Sequence, residues 1–140
     1  MVEGQWTISR EGFGLLTSVQ NHNNKGSTKK NVFLGHLRLT IQDTHSGEQP
    51  MYFQYKSKSY VFIYNGETYN VEELKCSLKD KGIEFTTTTD TEVVFKYLVV
   101  EGVEKGISKL NGMFSFCLFN ESDGISYLAR DRFGIKPLYY

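Results

Sequence analysis

Two helical segments stand next to each other in the middle of the chain, between apolar runs that have the length and composition of β-strands. Asn70 predicts the start of the first helix, because its side chain can cap free N–H groups. Glu73, three residues later, is the capping-box partner, and Val71, Leu74 and Leu78 form an apolar stripe. Gly82 stands where a glycine commonly ends a helix.

The second helix is predicted to open at Asp90 or Thr91. Its apolar residues fall on one face, which should pack against the rest of the domain; they are Val93, Val94, Tyr97 and Leu98.

Strand patterns occupy both ends of the chain. Toward the N-terminus they cover Gln5–Ile8, Phe13–Val19, Val32–Ile41, and a hairpin of Tyr52–Tyr55 and Tyr60–Tyr64 across Lys56–Ser59. Toward the C-terminus, Met113–Phe119 and Ile125–Ala129 flank a loop from Asn120 to Gly124 that is typical of a hairpin. This order predicts one layered α+β domain over residues 1–140.

The charge balance excludes several classes of partner. Sixteen basic residues match sixteen acidic ones, so no net field attracts nucleic acid or an anionic membrane surface. No apolar run approaches the ~20 residues of a membrane helix. The first residues lack the basic and apolar regions of a secretion signal, and we expect a cytoplasmic location.

The cysteines and histidines do not form a metal-binding pattern. Cys76 and Cys117 are far apart and are expected to be reduced thiols. His22, His36 and His45 are scattered through loops and strand ends. We therefore predict no metal site.

Five segments in order carry a family resemblance. They are LGHLRLTI at Leu34–Ile41, YNGETYN at Tyr64–Asn70, TDTEV at Thr89–Val93, LNGMFSF at Leu110–Phe116 and LARDRFGIKPLYY at Leu128–Tyr140. Together they resemble the class II glutamine amidotransferase domain of the asparagine synthetase family, from about residue 32 to residue 140. The resemblance implies an N-terminal-nucleophile hydrolase-like αββα sandwich of antiparallel sheets, here incomplete.

The resemblance also implies a glutamine site. Arg38 would bind the α-carboxylate, which its planar guanidinium matches bidentately, and Glu67 and Asp90 would bind the α-ammonium. The Asn65 side-chain amide and the Gly66 N–H would form the oxyanion hole, which needs donors placed where negative charge develops.

Each role has a local alternative. Arg38 could be a surface ion-pair partner, and Asp90 could be a helix N-cap. Asn65-Gly66 could form a hairpin turn, although the apolar run before it and the helix after it favour a strand–turn–helix arrangement. The charged residues of the last segment are interpreted as structural; they are Arg130, Asp131 and Lys136.

The start of the chain departs from the family. Members begin, after removal of Met, with a cysteine whose thiol attacks glutamine while its own α-amine acts as base. Here residue 2 is Val. We therefore expect a domain truncated at both ends, without the nucleophile. A truncated gene, a mis-assigned start and a domain that only binds are all compatible with this start.

The shortened sheet has a further consequence. A sheet without its first strand exposes an edge, so we expect self-association through that edge, a bound partner or poor solubility. On the same argument, Phe114, Phe116 and Phe119 should be partly exposed.

In the family, this domain hydrolyses glutamine through a γ-glutamyl thioester and supplies ammonia for asparagine synthesis. ATP and magnesium belong to the synthetase domain, so no cofactor is expected here; glutamine and a synthetase domain or chain are the expected partners. Without the nucleophile, we expect the chain to be inactive as written. A second interpretation is a non-catalytic glutamine-binding or scaffolding module that works with a separate synthetase.

The 140-residue chain should release no ammonia from glutamine above the buffer rate, because no thiol or hydroxyl follows Met1. A coupled assay for ammonia, with a Cys76→Ala, Cys117→Ala double variant as control, checks this. Ammonia release that persists in the double variant would show that another nucleophile exists.

Overall fold

The structure, a computed structural model, describes residues 15–20, 31–36 and 48–139. Six strands lie in this part of the chain: β1 (Leu15–Gln20), β2 (Asn31–His36), β3 (Met51–Tyr55), β4 (Lys58–Thr68), β5 (Gly112–Asn120) and β6 (Ile125–Arg130). Three helices accompany them: α1 (Val71–Lys79), α2 (Asp90–Glu101) and α3 (Val103–Ile107). The strands form an antiparallel β1–β2 pair and an antiparallel sheet in the order β3-β4-β5-β6.

The predicted hairpin at the centre of the chain is confirmed, with a tighter turn than expected. Lys56 and Ser57 alone connect β3 to β4, with φ of 47° and 62°. Positive φ at both residues is the conformation that matches the right-handed twist of the paired strands. The turn therefore takes two residues, and the predicted loop residues Lys58 and Ser59 belong to β4.

The predicted strand–turn–helix arrangement is confirmed, but the turn does not lie at Asn65-Gly66, because both residues lie inside β4. They pair with Ser115 and Phe114 of β5, and this pairing continues to Thr68 opposite Gly112. The chain turns only at Tyr69-Asn70. A partner strand along the whole segment outweighs the local turn preference of Asn-Gly.

Helix α1 starts after Asn70, as predicted, but the Asn70 side chain does not cap it. Its Oδ1 accepts the Asn111 N–H at 3.0 Å, and its Nδ2 donates to the Lys109 carbonyl oxygen at 3.0 Å. The predicted capping box with Glu73 is therefore wrong. Asn70 instead ties the start of α1 to the residues that lead into β5.

Helix α2 opens at Asp90, one of the two predicted residues, while Thr89 is its N-cap and accepts the Glu92 N–H at 3.4 Å. The helix is buried from Thr91 to Leu98, because the sheet lies on one side and α1 on another. Helix α3 was not predicted, since five residues are too few to show helical periodicity.

Side-chain alternation along β4 separates two apolar layers. Phe62 and Tyr64 pack against α2, whereas Val61 packs on the other face against Leu34 of β2. The described layers are therefore helices, the four-stranded sheet and the β1–β2 pair. The predicted strand Gln5–Ile8 lies outside the described residues, as do parts of Phe13–Val19 and Val32–Ile41.

The expectation that three phenylalanines would be partly exposed is wrong. Phe114, Phe116 and Phe119 are 5%, 1% and 1% exposed. They lie on β5, an inner strand that helices cover on one face and Leu34 covers on the other. Among the described residues, the most exposed aromatic side chains are instead Phe133 and Tyr139, beyond the edge strand β6.

No helix in the described ranges is both long and apolar enough to cross a membrane.

The contact between α2 and the sheet should dominate stability. Phe95 stacks on Phe62 with ring centroids 4.9 Å apart, and both side chains are buried. Phe95→Ala should lower the free energy of unfolding by about 3–5 kcal/mol, through lost burial and the cavity left behind. Denaturant unfolding measures this, with Phe133→Ala at a 90% exposed position as the matched control. Equal losses in the two variants would contradict this account of the core.

Candidate functional site

Among the described strands, none pairs with one edge of β4 over the second half of that strand, and we call this the open edge. On that side β3 provides the partner only as far as the pair Met51–Phe62. On the other side β5 pairs with β4 up to Thr68. Backbone groups of β4 that face the β3 side beyond Phe62 therefore meet no described strand.

Three N–H groups point toward this open edge. The Tyr64 N–H donates to the Gln49 side-chain oxygen at 2.6 Å, and the Thr68 N–H donates to Asp90 Oδ2 at 3.0 Å. N–H directions alternate along an antiparallel strand, so the Gly66 N–H between them points the same way. It lies between two occupied donors, and no described strand runs opposite it.

The side chains of Asn65 and Glu67 project from the sheet face opposite to that of Tyr64 and Thr68, by the alternation of the strand. Both residues are exposed. They are two positions apart on one strand, so the amide and the carboxylate flank Gly66 on the same face. Asn65, Gly66 and Glu67 are consecutive in the sequence, and what the strand adds is the direction of their side chains and N–H groups.

Asp90 reaches the same place from a distant part of the sequence. As the first residue of α2, it accepts the Thr68 N–H with Oδ2, while Oδ1 accepts the Thr91 hydroxyl at 3.3 Å. Asp90 therefore lies beside the strand residue that follows Glu67. The predicted alternative, that Asp90 caps α2, is wrong because Thr89 occupies that position.

The carboxylates of Asp90 and Glu67 both affect the pKa of the buried Tyr64 phenol. Burial raises the pKa of Tyr64, its hydrogen bond with Thr68 lowers it, and the negative charges of Asp90 and Glu67 raise it further. The Tyr64 hydroxyl lies 2.8 Å from the Thr68 hydroxyl. The pKa stays well above its ordinary value, so the phenol is protonated at neutral pH and Tyr64 adds no charge to the site.

Two other charged residues from the sequence analysis are Arg38 and Asp131. Arg38 lies outside the described residues. Asp131 is buried and accepts N–H groups from Phe133, Ile135 and Lys136 at 3.0–3.2 Å, which supports the structural interpretation of the last segment. Among the residues that the structure describes, no cluster of His, Cys, Asp and Glu could hold a metal ion.

Comparison with known families gives a direct match. The model of the glutamine amidotransferase domain matches residues 21–140. The chain belongs to the glutamine amidotransferase domain family. The predicted family is confirmed, and the match begins somewhat earlier than the predicted residue 32.

Curated relatives of this amidotransferase domain are glutamine-hydrolysing asparagine synthetases. The chain is 42% identical to asparagine synthetase 3 of Bacillus subtilis (strain 168) over 109 residues, covering 78% of this chain. It is 45% identical to asparagine synthetase 1 of that organism over 111 residues, covering 79% of this chain. It is 38% identical to asparagine synthetase B of Escherichia coli (strain K12) over 109 residues, covering 78% of this chain. The chain spans only 17–19% of the length of these relatives.

Solved structures of amidotransferases share the fold. The glutamine phosphoribosylpyrophosphate amidotransferase of B. subtilis matches with a TM-score of 0.59 and 26% identity, over 73% of this chain and 23% of that one. An allosteric regulatory enzyme of purine biosynthesis matches with a TM-score of 0.64 and 27% identity, over 77% and 25%. The fold is that of the N-terminal-nucleophile amidotransferases.

The amidotransferase domain also contains a buried ion pair that the sequence analysis missed. Glu92 and Lys96 of α2 pair at 2.6 Å, with side chains 6% and 11% exposed. Glu92 also accepts hydrogen bonds from the backbone N–H and the hydroxyl groups of Thr86 and Thr87, at 2.6–3.2 Å. This network holds the threonine segment that leads into Asp90. The four-residue spacing of Glu92 and Lys96 after a threonine run was the available signal.

The network strongly favours the charged carboxylate. Burial by itself raises the pKa of Glu92, but hydrogen bonds from Lys96, Thr86 and Thr87 outweigh burial and lower the pKa to about 2. Lys96 Nζ also donates to the Glu84 carbonyl oxygen at 2.7 Å. A carboxyl whose pKa is lower in the folded protein stabilises the fold above its ordinary pKa of 4.5, and that contribution is lost as the pH falls toward 2.

Glu92→Gln should destabilise the domain by about 3 kcal/mol at pH 7, because it leaves the Lys96 ammonium without its counter-charge. The difference from the parent should shrink as the pH is lowered from 5 toward about 2, where Glu92 itself becomes protonated. Denaturant unfolding across this range measures it, with Glu104→Gln on exposed α3 as control. A difference that stays constant with pH would contradict the role given to the Glu92 charge.

Proposed function

We propose that this domain binds glutamine at the open edge of β4 and that, within a longer protein, the site hydrolyses the glutamine side-chain amide. The observation that carries the proposal is the convergence of Asn65, Gly66, Glu67 and Asp90 at one sheet edge. These residues come from two distant segments, and local structure alone does not require them to meet.

The oxyanion hole in this proposal consists of the Gly66 N–H and the Asn65 side-chain amide. Attack on the amide carbonyl moves negative charge onto its oxygen, and donors fixed in advance stabilise that charge without reorganising. The direction of the Gly66 N–H is fixed because the residues before and after Gly66 both pair with β5. Asn65 is the residue next to Gly66 on this strand, and its side chain is exposed.

The amino-acid end of glutamine carries one positive and one negative charge. Glu67 and Asp90 would bind the α-ammonium, and Arg38 would bind the α-carboxylate. Asp90 already accepts the Thr68 N–H, which holds its carboxylate at the sheet edge before a ligand arrives. Preorganisation of this kind lowers the entropic cost of binding.

Neither described cysteine is the nucleophile in this proposal. Cys117 is buried on β5, and burial raises its pKa to about 11, so almost no thiolate forms at neutral pH. Cys76 is exposed on α1, and no hydrogen bond between described residues links its side chain to Asn65, Gly66 or Glu67. The nucleophile must therefore come from elsewhere in the active protein.

The longer protein that we propose is an asparagine synthetase. The released ammonia would pass to a synthetase domain or chain that makes asparagine in the cytoplasm. ATP and magnesium would act there, and hydrolysis of glutamine would need no cofactor in the present domain. The identities of 38–45% to glutamine-hydrolysing asparagine synthetases support this choice of acceptor chemistry.

The chain should bind L-glutamine in isothermal titration calorimetry. Glu67→Gln and Arg38→Met should each weaken binding by about tenfold or more, because each removes a charge-assisted hydrogen bond to the ligand. Glu72→Gln, a similar exposed glutamate on α1, should leave affinity unchanged. If Glu67→Gln binds as well as Glu72→Gln, or if the parent chain binds no glutamine, the proposed site is wrong.

A further inference from the structure

The Gln49 side chain makes an unusual pair of contacts with the main chain of β4. Its Oε1 accepts the Tyr64 N–H at 2.6 Å, and its Nε2 donates to the Tyr64 carbonyl oxygen at 2.9 Å. A carboxamide has the same donor and acceptor as a peptide group. The side chain thus makes the two hydrogen bonds that a neighbouring strand residue would make with its backbone.

The register of the sheet shows what these contacts replace. Opposite residues of β3 and β4 run from Tyr55–Lys58 to Met51–Phe62, so the next outward-facing position, Tyr64, stands opposite residue 49. Gln49 occupies that ladder position with its side chain instead of its backbone. The described backbone pairing of β3 with β4 ends at Phe62, and the Gln49 side chain makes the next pair of hydrogen bonds.

The consequence concerns the next donor along the edge. The Gly66 N–H points to the same side as that of Tyr64. A strand that continued in register would pair with Gly66 and use this N–H in the ladder. With the ladder ending in a side chain at Tyr64, no described strand pairs with the Gly66 N–H, while pairing with β5 still fixes the strand on which it lies.

We propose that Gln49 is a positioning residue for the oxyanion donor: by satisfying Tyr64 with its side chain, it ends the sheet edge immediately before Gly66 and keeps that N–H free for a ligand oxygen. This inference rests on the proposed glutamine site. Gln49 acts through β4, and the group that meets the ligand is the Gly66 N–H.

Amide hydrogen exchange in the 140-residue chain, followed by NMR, tests the geometry without any ligand. The Tyr64 and Thr68 amides should exchange at least about tenfold more slowly than the Gly66 amide between them, after correction for intrinsic rates. In Gln49→Leu, protection of Tyr64 should be lost while protection of Thr68 remains. A protected Gly66 amide in the parent chain, or a Tyr64 amide unaffected by Gln49→Leu, would overturn the proposal.

Ligand discrimination tests the role. L-glutamine and L-norvaline share the α-amino acid group and a three-carbon side-chain backbone, but only glutamine has a side-chain carbonyl. Gln49→Leu should weaken glutamine binding by about three- to tenfold, the effect of one hydrogen bond, and leave norvaline binding unchanged. Gln54→Leu, on an exposed position of β3, should change neither affinity.

The outcomes distinguish a failure of the Gln49 proposal from a failure of the proposed glutamine site. Equal weakening of both ligands by Gln49→Leu would assign Gln49 a general structural role and overturn its assignment to the oxyanion donor. A parent chain that binds neither ligand would overturn the proposed function, while the exchange pattern would still decide whether Gln49 ends the ladder. The milder variant Gln49→Glu keeps the acceptor for the Tyr64 N–H, so Tyr64 protection should persist there even if Gln49→Leu fails to fold.

Discussion

The unequal lengths of the two strands beside β4 determine what the rest of the structure can do. Strand β5 pairs with β4 to its end, whereas β3 stops at Phe62. Full pairing with β5 fixes the backbone of β4, and no described strand covers the Gly66 N–H on the other side. Pairing on both sides would give an ordinary inner strand, and pairing on neither side would give a loop. In the proposed site, pairing on one side supplies a rigid backbone donor, which a loop provides less well.

The open edge depends on the helical layer beneath it. Apolar packing of Phe95 and Val94 against the sheet brings the start of α2 to the end of β4, where Asp90 meets the Thr68 N–H. The Glu92–Lys96 pair then fixes the threonine segment before the helix. A buried pair of this kind adds little net stability over apolar residues, but removing one partner costs several kcal/mol. Here the Glu92 carboxylate also accepts hydrogen bonds from Thr86 and Thr87, which ties the chain before Asp90 to α2.

Local patterns predicted the elements well where tertiary context agreed with them. The β5–β6 hairpin followed from turn chemistry, α2 opens at one of its two predicted residues, and the order of strands and helices predicted the α+β class. Asn65-Gly66 failed because β5 supplied pairing along the whole segment, which overrides a two-residue turn preference. Asn70 failed as a side-chain cap because Lys109 and Asn111, distant in sequence, offered it better partners. Glu92 was missed because its donors became visible only once the threonine segment folded back on α2. Long-range partners caused the errors at Asn65-Gly66 and at Asn70, and no local pattern contains those partners.

Gly66 illustrates why residue identity alone is weak evidence for a catalytic role. A β-carbon at Gly66 would lie 2.3 Å from the Met113 carbonyl oxygen and 2.7 Å from Phe114 Cα. The close approach of β4 and β5 therefore requires glycine here even if no ligand ever binds, and a substitution would disturb the sheet and the site together. What distinguishes a donor from a packing residue is the direction of its N–H. That direction follows from the occupied groups on either side, Tyr64 on Gln49 and Thr68 on Asp90. The neighbours of Gly66, more than Gly66 itself, are where a functional role can be separated from a structural one.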